Sequence, residues 1–124
     1  MSVSGKLVIG DNVTIGDFVQ IEAHSKIGKN VLIASRVFRS DTNHGDYSGI
    51  NQTDIYEAPN PRKLSCKEVH VGDNVWIGEN VCILPGVSIG EGSIIGSNAV
   101  VTKSFPEGVI LGGVPAKCLK NIIK

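Results

Sequence analysis

Neither sign of charge is in excess in this chain: twelve Lys and Arg stand against twelve Asp and Glu. No overall field therefore draws it to nucleic acid or to an anionic membrane, and any anion would have to be held by a local cluster. Aromatic residues make up 5% of the 124 positions, so a core has to be built from Val and Ile. No apolar run approaches the length of a membrane span, and membrane insertion is not expected. The opening MSVSGKLVIGDN meets Gly and Asp before a signal-peptide apolar region could form, which predicts a cytoplasmic protein. Cys66, Cys82 and Cys118 are odd in number and have no CxxC spacing, so they suit a reducing compartment and read as structural or incidental. The three histidines, His24, His44 and His70, include no close pair. A hydratase-type zinc site with three convergent His ligands is not expected, and no metal is assigned.

What the chain has in abundance is a period of six. Residues 7–42 divide into LVIGDN, VTIGDF, VQIEAH, SKIGKN, VLIASR and VFRSDT. Residues 69–104 divide into VHVGDN, VWIGEN, VCILPG, VSIGEG, SIIGSN and AVVTKS. The first position is Val in eight of the twelve hexads, the third Ile in nine and the fourth Gly in seven, which chance does not produce. Apolar residues two apart describe a short strand, and the Gly marks a corner that needs either an unusual backbone angle or close approach. A helix would place Gly and β-branched residues repeatedly in its interior. The pattern predicts an all-β solenoid in which three hexads make a triangular coil and each Ile ladder buries itself on the next coil.

Four coils follow, at 7–24, 25–42, 69–86 and 87–104, within one domain spanning 1–124. The hexad starts at 37 and 69 lie 32 residues apart, not a multiple of six, so 43–68 must leave the repeat as a long loop. Its polar residues, Gly and Pro agree with that. The break falls at SDTNHGDYSG (40–49), and His44 stands in it. An imidazole there can take a proton from an alcohol, the task general-base catalysis most often gives to His. Asp41, Asp46 or a backbone carbonyl are candidates to orient it, and Asn43 either positions an acceptor or tolerates a left-handed backbone. Arg39 departs from the pattern, standing where other hexads have Ile or Val; either the strand shifts register or a polar group points inward and needs a partner.

These hexads, together with LIASRVFRSDTNHG and the closing PEGVILGGVPAK, closely resemble the hexapeptide-repeat acyltransferase family. The resemblance implies a left-handed parallel β-helix with one active-site loop and a short C-terminal segment, 105–124, turned away from the last coil by Gly113 and Pro115. It also implies His44 as general base and direct transfer from acetyl-CoA, and leaves Asn43 and Asp41 as candidates to assist it. Further implications are a cyclic homotrimer and a small-molecule acceptor, a sugar or nucleotide sugar. By the same resemblance the coils after the loop bind the cofactor. Gly78, Gly96, Ser97 and Thr102 would be the small corner residues along its pantetheine arm, Trp76 a wall near the thioester, and Lys103, Lys117 and Lys120 the phosphate contacts. An O-acetyltransferase acting on a sugar of a surface polysaccharide is the activity expected. Transfer to an antibiotic or amino sugar, and a non-catalytic solenoid used for assembly, are the alternatives.

Overall fold

The computed structural model describes residues 6–22, 24–39, 42–44, 47 and 52–123, the side chains of 42–44 and 65 excepted. The first coil consists of β1 (Val8–Ile9), β2 (Thr14–Ile15) and β3 (Gln20–Ile21), and the second of β4 (Ser25–Ile27), β5 (Leu32–Ile33) and β6 (Phe38–Arg39). Two strands outside the solenoid follow, β7 (Thr42–His44) and β8 (Leu64–Cys66). The third coil is β9 (Val69–Val71), β10 (Trp76–Ile77) and β11 (Cys82–Ile83), and the fourth β12 (Ser88–Ile89), β13 (Ile94–Ile95) and β14 (Val100–Val101). First strands stack on first strands in parallel register to give sheet A; second and third strands give sheets B and C in the same way. The prism is the left-handed parallel β-helix expected.

Each hexad places its second residue outside and its third inside. Ile33, Ile77, Ile83 and Ile95 are fully buried, whereas Leu32 and Trp76 beside them are exposed. Ten of the described corners have one residue in the left-handed region, and that residue is the sixth of the hexad. Asn12, Phe18, His24, Asn30, Arg36, Asn74, Asn80 and Asn98 all have φ between 55° and 67°, with Gly86 and Gly92 at equivalent places. Asn suits the job because its short amide bonds locally; here the amides also join coil to coil, as from Asn80 Nδ2 to Asn98 Oδ1 at 2.9 Å. The fourth-position Gly serves close approach instead. A Cβ on Gly78 would lie 2.8 Å from the Ile95 carbonyl oxygen.

Phe18 is the misfit among the corners, with φ 56° and 86% of its surface exposed. A bulky side chain gains nothing there that offsets the left-handed backbone. Phe18→Asn is expected to stabilise the fold by about 1 kcal/mol, seen as a rise of a few degrees in the thermal midpoint. An unchanged or lower midpoint would show that the corner carries no strain.

Two sequence expectations need amendment. The C-terminal segment does not simply turn away. Phe105 bridges to Ile89, β15 (Val109–Gly112) adds to sheet B beside β13, and after Gly113 and Pro115 the chain folds back as β16 (Lys117–Asn121), antiparallel on β15. It continues the solenoid because Val109, Leu111 and Ala116 cover the apolar end of the fourth coil. The second coil also ends earlier than 42: β6 stops at Arg39, and Thr42 already belongs to the excursion. The Arg39 question resolves toward burial, since register is kept from Ile21 through Arg39 to Ile83.

Candidate active site

The excursion is anchored at its base by β7 and β8, which pair antiparallel with Thr42 opposite Cys66, Asn43 opposite Ser65 and His44 opposite Leu64. His44 thus sits on a backbone ladder rooted between β6 of sheet C and β9 of sheet A, the edge at which the second coil passes to the third. Asn43 lies on the same strand. Asp41 falls outside the described residues, as do Asp46, Gly45 and Asn51. The chain's return is fixed by Val69, whose N–H donates to the His24 carbonyl at 3.0 Å. His24 itself occupies a left-handed corner and is half-buried. His70 is exposed on sheet A, 2.8 Å from Glu68, which also meets Lys26 at 3.4 Å.

Arg62 organises the loop beyond this ladder, and sequence reading did not single it out. Its Nε and Nη2 donate to the Glu57 carbonyl at 2.9 and 2.7 Å, its Nη2 also to the Ile55 carbonyl at 2.9 Å, and its Nη1 to the Tyr47 hydroxyl at 2.6 Å. The guanidinium so ties both ends of the loop together, leaving Ile55 and Tyr56 at the exposed tip. The available signal was an Arg following Pro59 and Pro61 in a segment with no strand period, where carbonyls need donors that a sheet does not provide.

The cofactor candidates divide between two edges. Gly16, Ala34, Gly78, Gly96 and Gly112 each follow a residue of the ladder Ile15, Ile33, Ile77, Ile95 and Leu111, so they form a column of small residues where sheet B turns into sheet C. Four steps of about 4.8 Å give this column a length of roughly 19 Å. Trp76 stands beside it on sheet B, 51% exposed. Ser97 lies on the same edge, and its Oγ accepts the Glu79 N–H at 3.2 Å, a bond that joins the third coil to the fourth. Lys117 pairs with Gly112 at the end of the column and Lys120 with Ile110; both are exposed. Thr102 and Lys103 lie instead on the edge between sheets C and A, the edge from which the loop departs. Lys103 reaches over Phe105, its ammonium 5.5 Å from the ring centroid.

The outer faces differ in character. Sheet B presents Thr14, Leu32, Trp76, Ile94 and Ile110 in register, and sheet C presents Gln20, Phe38, Cys82 and Val100, while sheet A carries Val8, Lys26, His70 and Ser88. Burial raises the Cys82 pKa, which keeps that thiol protonated and unreactive. All three cysteines are free, and no group of acidic, His and Cys residues able to hold a metal occurs among the described residues. Likewise no described helix is long and apolar enough to cross a membrane.

The family description "Bacterial transferase hexapeptide (six repeats)" matches residues 6–38 and 68–103, on either side of the loop. The chain belongs to this family. WbbJ of Escherichia coli (strain K12), a protein named for O-acetyl transfer in lipopolysaccharide biosynthesis, is 42% identical over 123 residues, 94% of this chain and 61% of WbbJ. Galactoside O-acetyltransferase of the same organism is 38% identical over 112 residues, 90% of this chain and 49% of the enzyme. Among solved structures, a hexapeptide-repeat acetyltransferase of Vibrio cholerae O1 biovar eltor complexed with acetyl coenzyme A superposes with a TM-score of 0.83 at 31% identity, covering 96% of this chain and 62% of the other. The chain therefore spans about half to three fifths of the length of these relatives.

Proposed function

We propose that this solenoid carries out acetyl transfer from acetyl-CoA to a sugar hydroxyl, in the biosynthesis of a surface polysaccharide, with His44 as general base. The observation that carries the reading is the placement of His44. The one break in a twelve-hexad rhythm puts an imidazole-bearing residue on a paired strand at a solenoid edge, within a chain whose family and named relatives transfer acyl groups.

In the proposed reaction the imidazole of His44 takes the proton of the acceptor hydroxyl while that oxygen attacks the thioester carbonyl carbon. Collapse breaks the carbon–sulfur bond, and the protonated imidazole returns the proton to the departing thiolate, leaving an acetate ester and free CoA. The column of small residues from Gly16 to Gly112 gives an extended thioester arm a place to lie against backbone amides, with Trp76 as its wall. Lys103, Lys117 and Lys120 supply charge for phosphates. Asn43 and Asp41 are assigned to positioning the acceptor and the imidazole.

Because the loop and the small-residue column occupy different edges of one prism, the reading joins them across neighbouring copies. A cyclic trimer uses two unlike patches on each copy, and bringing one copy's edge between sheets B and C beside the next copy's edge between sheets C and A puts sheets A and B in the contacts. Titration of the intact protein with acetyl-CoA should quench the fluorescence of Trp76, the sole tryptophan, and a panel of sugars and nucleotide sugars should include one that drives release of free CoA. Binding without any such acceptor would remove the sugar assignment. No binding, or a monomer in solution, would bring the non-catalytic assembly reading forward.

A further inference from the structure

Eleven of the twelve third-position residues are Ile or Val, and the twelfth, Arg39, is as deeply buried as any of them, at 0% exposure. Its Nε, Nη1 and Nη2 have no hydrogen-bond partner among the described residues. Ser25, also at 0% exposure, has an Oγ in the same condition. The second buried serine behaves differently: Ser93 Oγ donates to the Pro106 carbonyl at 3.2 Å and accepts the Val109 N–H at 3.3 Å. The remaining buried atom without a hydrogen bond among the described residues, Glu68 Oε1, faces the cations of sheet A, Lys26 at 3.4 Å and His70 at 2.8 Å, so the unsatisfied groups of the core lie in the second coil. Ser25 opens that coil and Arg39 closes it, so both flank the edge where the chain leaves toward β7 and returns at Val69.

A buried guanidinium without a counter-charge costs several kcal/mol. Deprotonation gives no relief, because burial lowers its pKa only to about 10 and the group stays charged at neutral pH. No described acidic residue is fully buried, and the buried carboxylate oxygen of Glu68 is turned to Lys26 and His70 on sheet A. Water could accept hydrogen bonds from the fork but would leave the charge uncompensated. Five guanidinium N–H groups and one hydroxyl make a set rich in donors and able to bind an anion, and the ladder neighbours Ile21 and Ile83 restrict its size.

We propose that Arg39 and Ser25 form an internal site for one compact monovalent anion of the halide class, drawn from solution, inside the second coil. Occupancy then stabilises the folded state by mass action, because the unfolded chain has no such site. The inference is independent of the acetyl-transfer reading, since its readout is unfolding and not activity.

The test follows the thermal midpoint of the intact protein as chloride replaces gluconate at constant ionic strength. Wild type should gain roughly 5 °C for each tenfold rise in chloride above half-saturation. Arg39→Met should be flat, and Ser25→Val should require more chloride for the same gain. Crystals grown in bromide should show an anomalous peak within hydrogen-bond distance of the Arg39 guanidinium. Should Arg39→Met fail to fold, Arg39→Lys, which keeps the charge but loses the planar fork, must shift the half-saturating concentration. A flat wild-type curve, or one unchanged by these substitutions, overturns the proposal. So does a destabilisation by Asp41→Asn or Asp46→Asn that disappears in the Arg39→Met background, which would make a carboxylate of the chain the partner.

Discussion

Replacing His44 by Ala is expected to lower acceptor-dependent release of CoA by at least roughly a hundredfold while leaving the thermal midpoint nearly unchanged. The two halves of this expectation have separate physical grounds. An alcohol is a poor nucleophile until its proton is taken, so losing the base removes stabilisation that exists only in the transition state, and kcat falls more than KM rises. The fold tolerates the change because His44 is held by its backbone: β7 pairs with β8 through main-chain groups, with His44 opposite Leu64, and an Ala keeps that ladder. Activity of the wild type should also fail on acidification, since a base must be neutral to work. A variant that keeps its rate within a few-fold of wild type would dismiss His44 as the base. A parallel loss of stability would mean that the residue holds the loop rather than the proton.

Ile77→Ala is expected to cost about 4 kcal/mol, and Ile15→Ala only about 1 kcal/mol, although both lie at the third position of sheet B. Ile77 is fully buried between Ile33 and Ile95, and its truncation leaves a cavity that coils on both sides are too rigidly paired to close. Ile15 is in the first coil and is 42% exposed, with Ile33 as its neighbour on one side only. In a stack where each coil contacts only its neighbours, the end coil has half the interface of a middle one. Chemical denaturation of the two variants checks this. Equal losses would show that the apolar end formed by Ile9 and Ile15 is covered in solution.

The solenoid was legible because its rule is local and repeats. Alternation places the second residue of a hexad outside and the third inside, so Trp76 outside and Ile77 inside follow from counting, as do the four coils on either side of the loop. The choice between the two roles of the fourth-position Gly was not legible, because close approach depends on the coil beyond: Gly78 is small on account of the Ile95 carbonyl, seventeen residues later and one coil up the stack. The left-handed angles fell on the sixth residue instead, where Asn recurs. The loop was visible only as a failure of period. Its internal order depends on Arg62 reaching carbonyls at 55 and 57 and the hydroxyl of Tyr47, contacts that no spacing rule encodes.

The site divides along the same line. Sequence marked His44 by its place at the break, and it marked Trp76 and the small residues after it by their places in the repeat. It could not assign them to edges. Only stacking put Gly78, Gly96, Ser97 and Trp76 along one corner of the prism and the loop, Thr102 and Lys103 along another, and only stacking brought Lys117 back beside Gly112 through a strand that reverses direction. The hexad fixes which way each side chain points because that depends on near neighbours in the chain. Which side chains meet depends on how many residues each turn of the solenoid consumes, and on where a loop or a hairpin interrupts the count. For the same reason Arg39 could be flagged from its position, but its burial without a partner emerged only when the coils were closed around it.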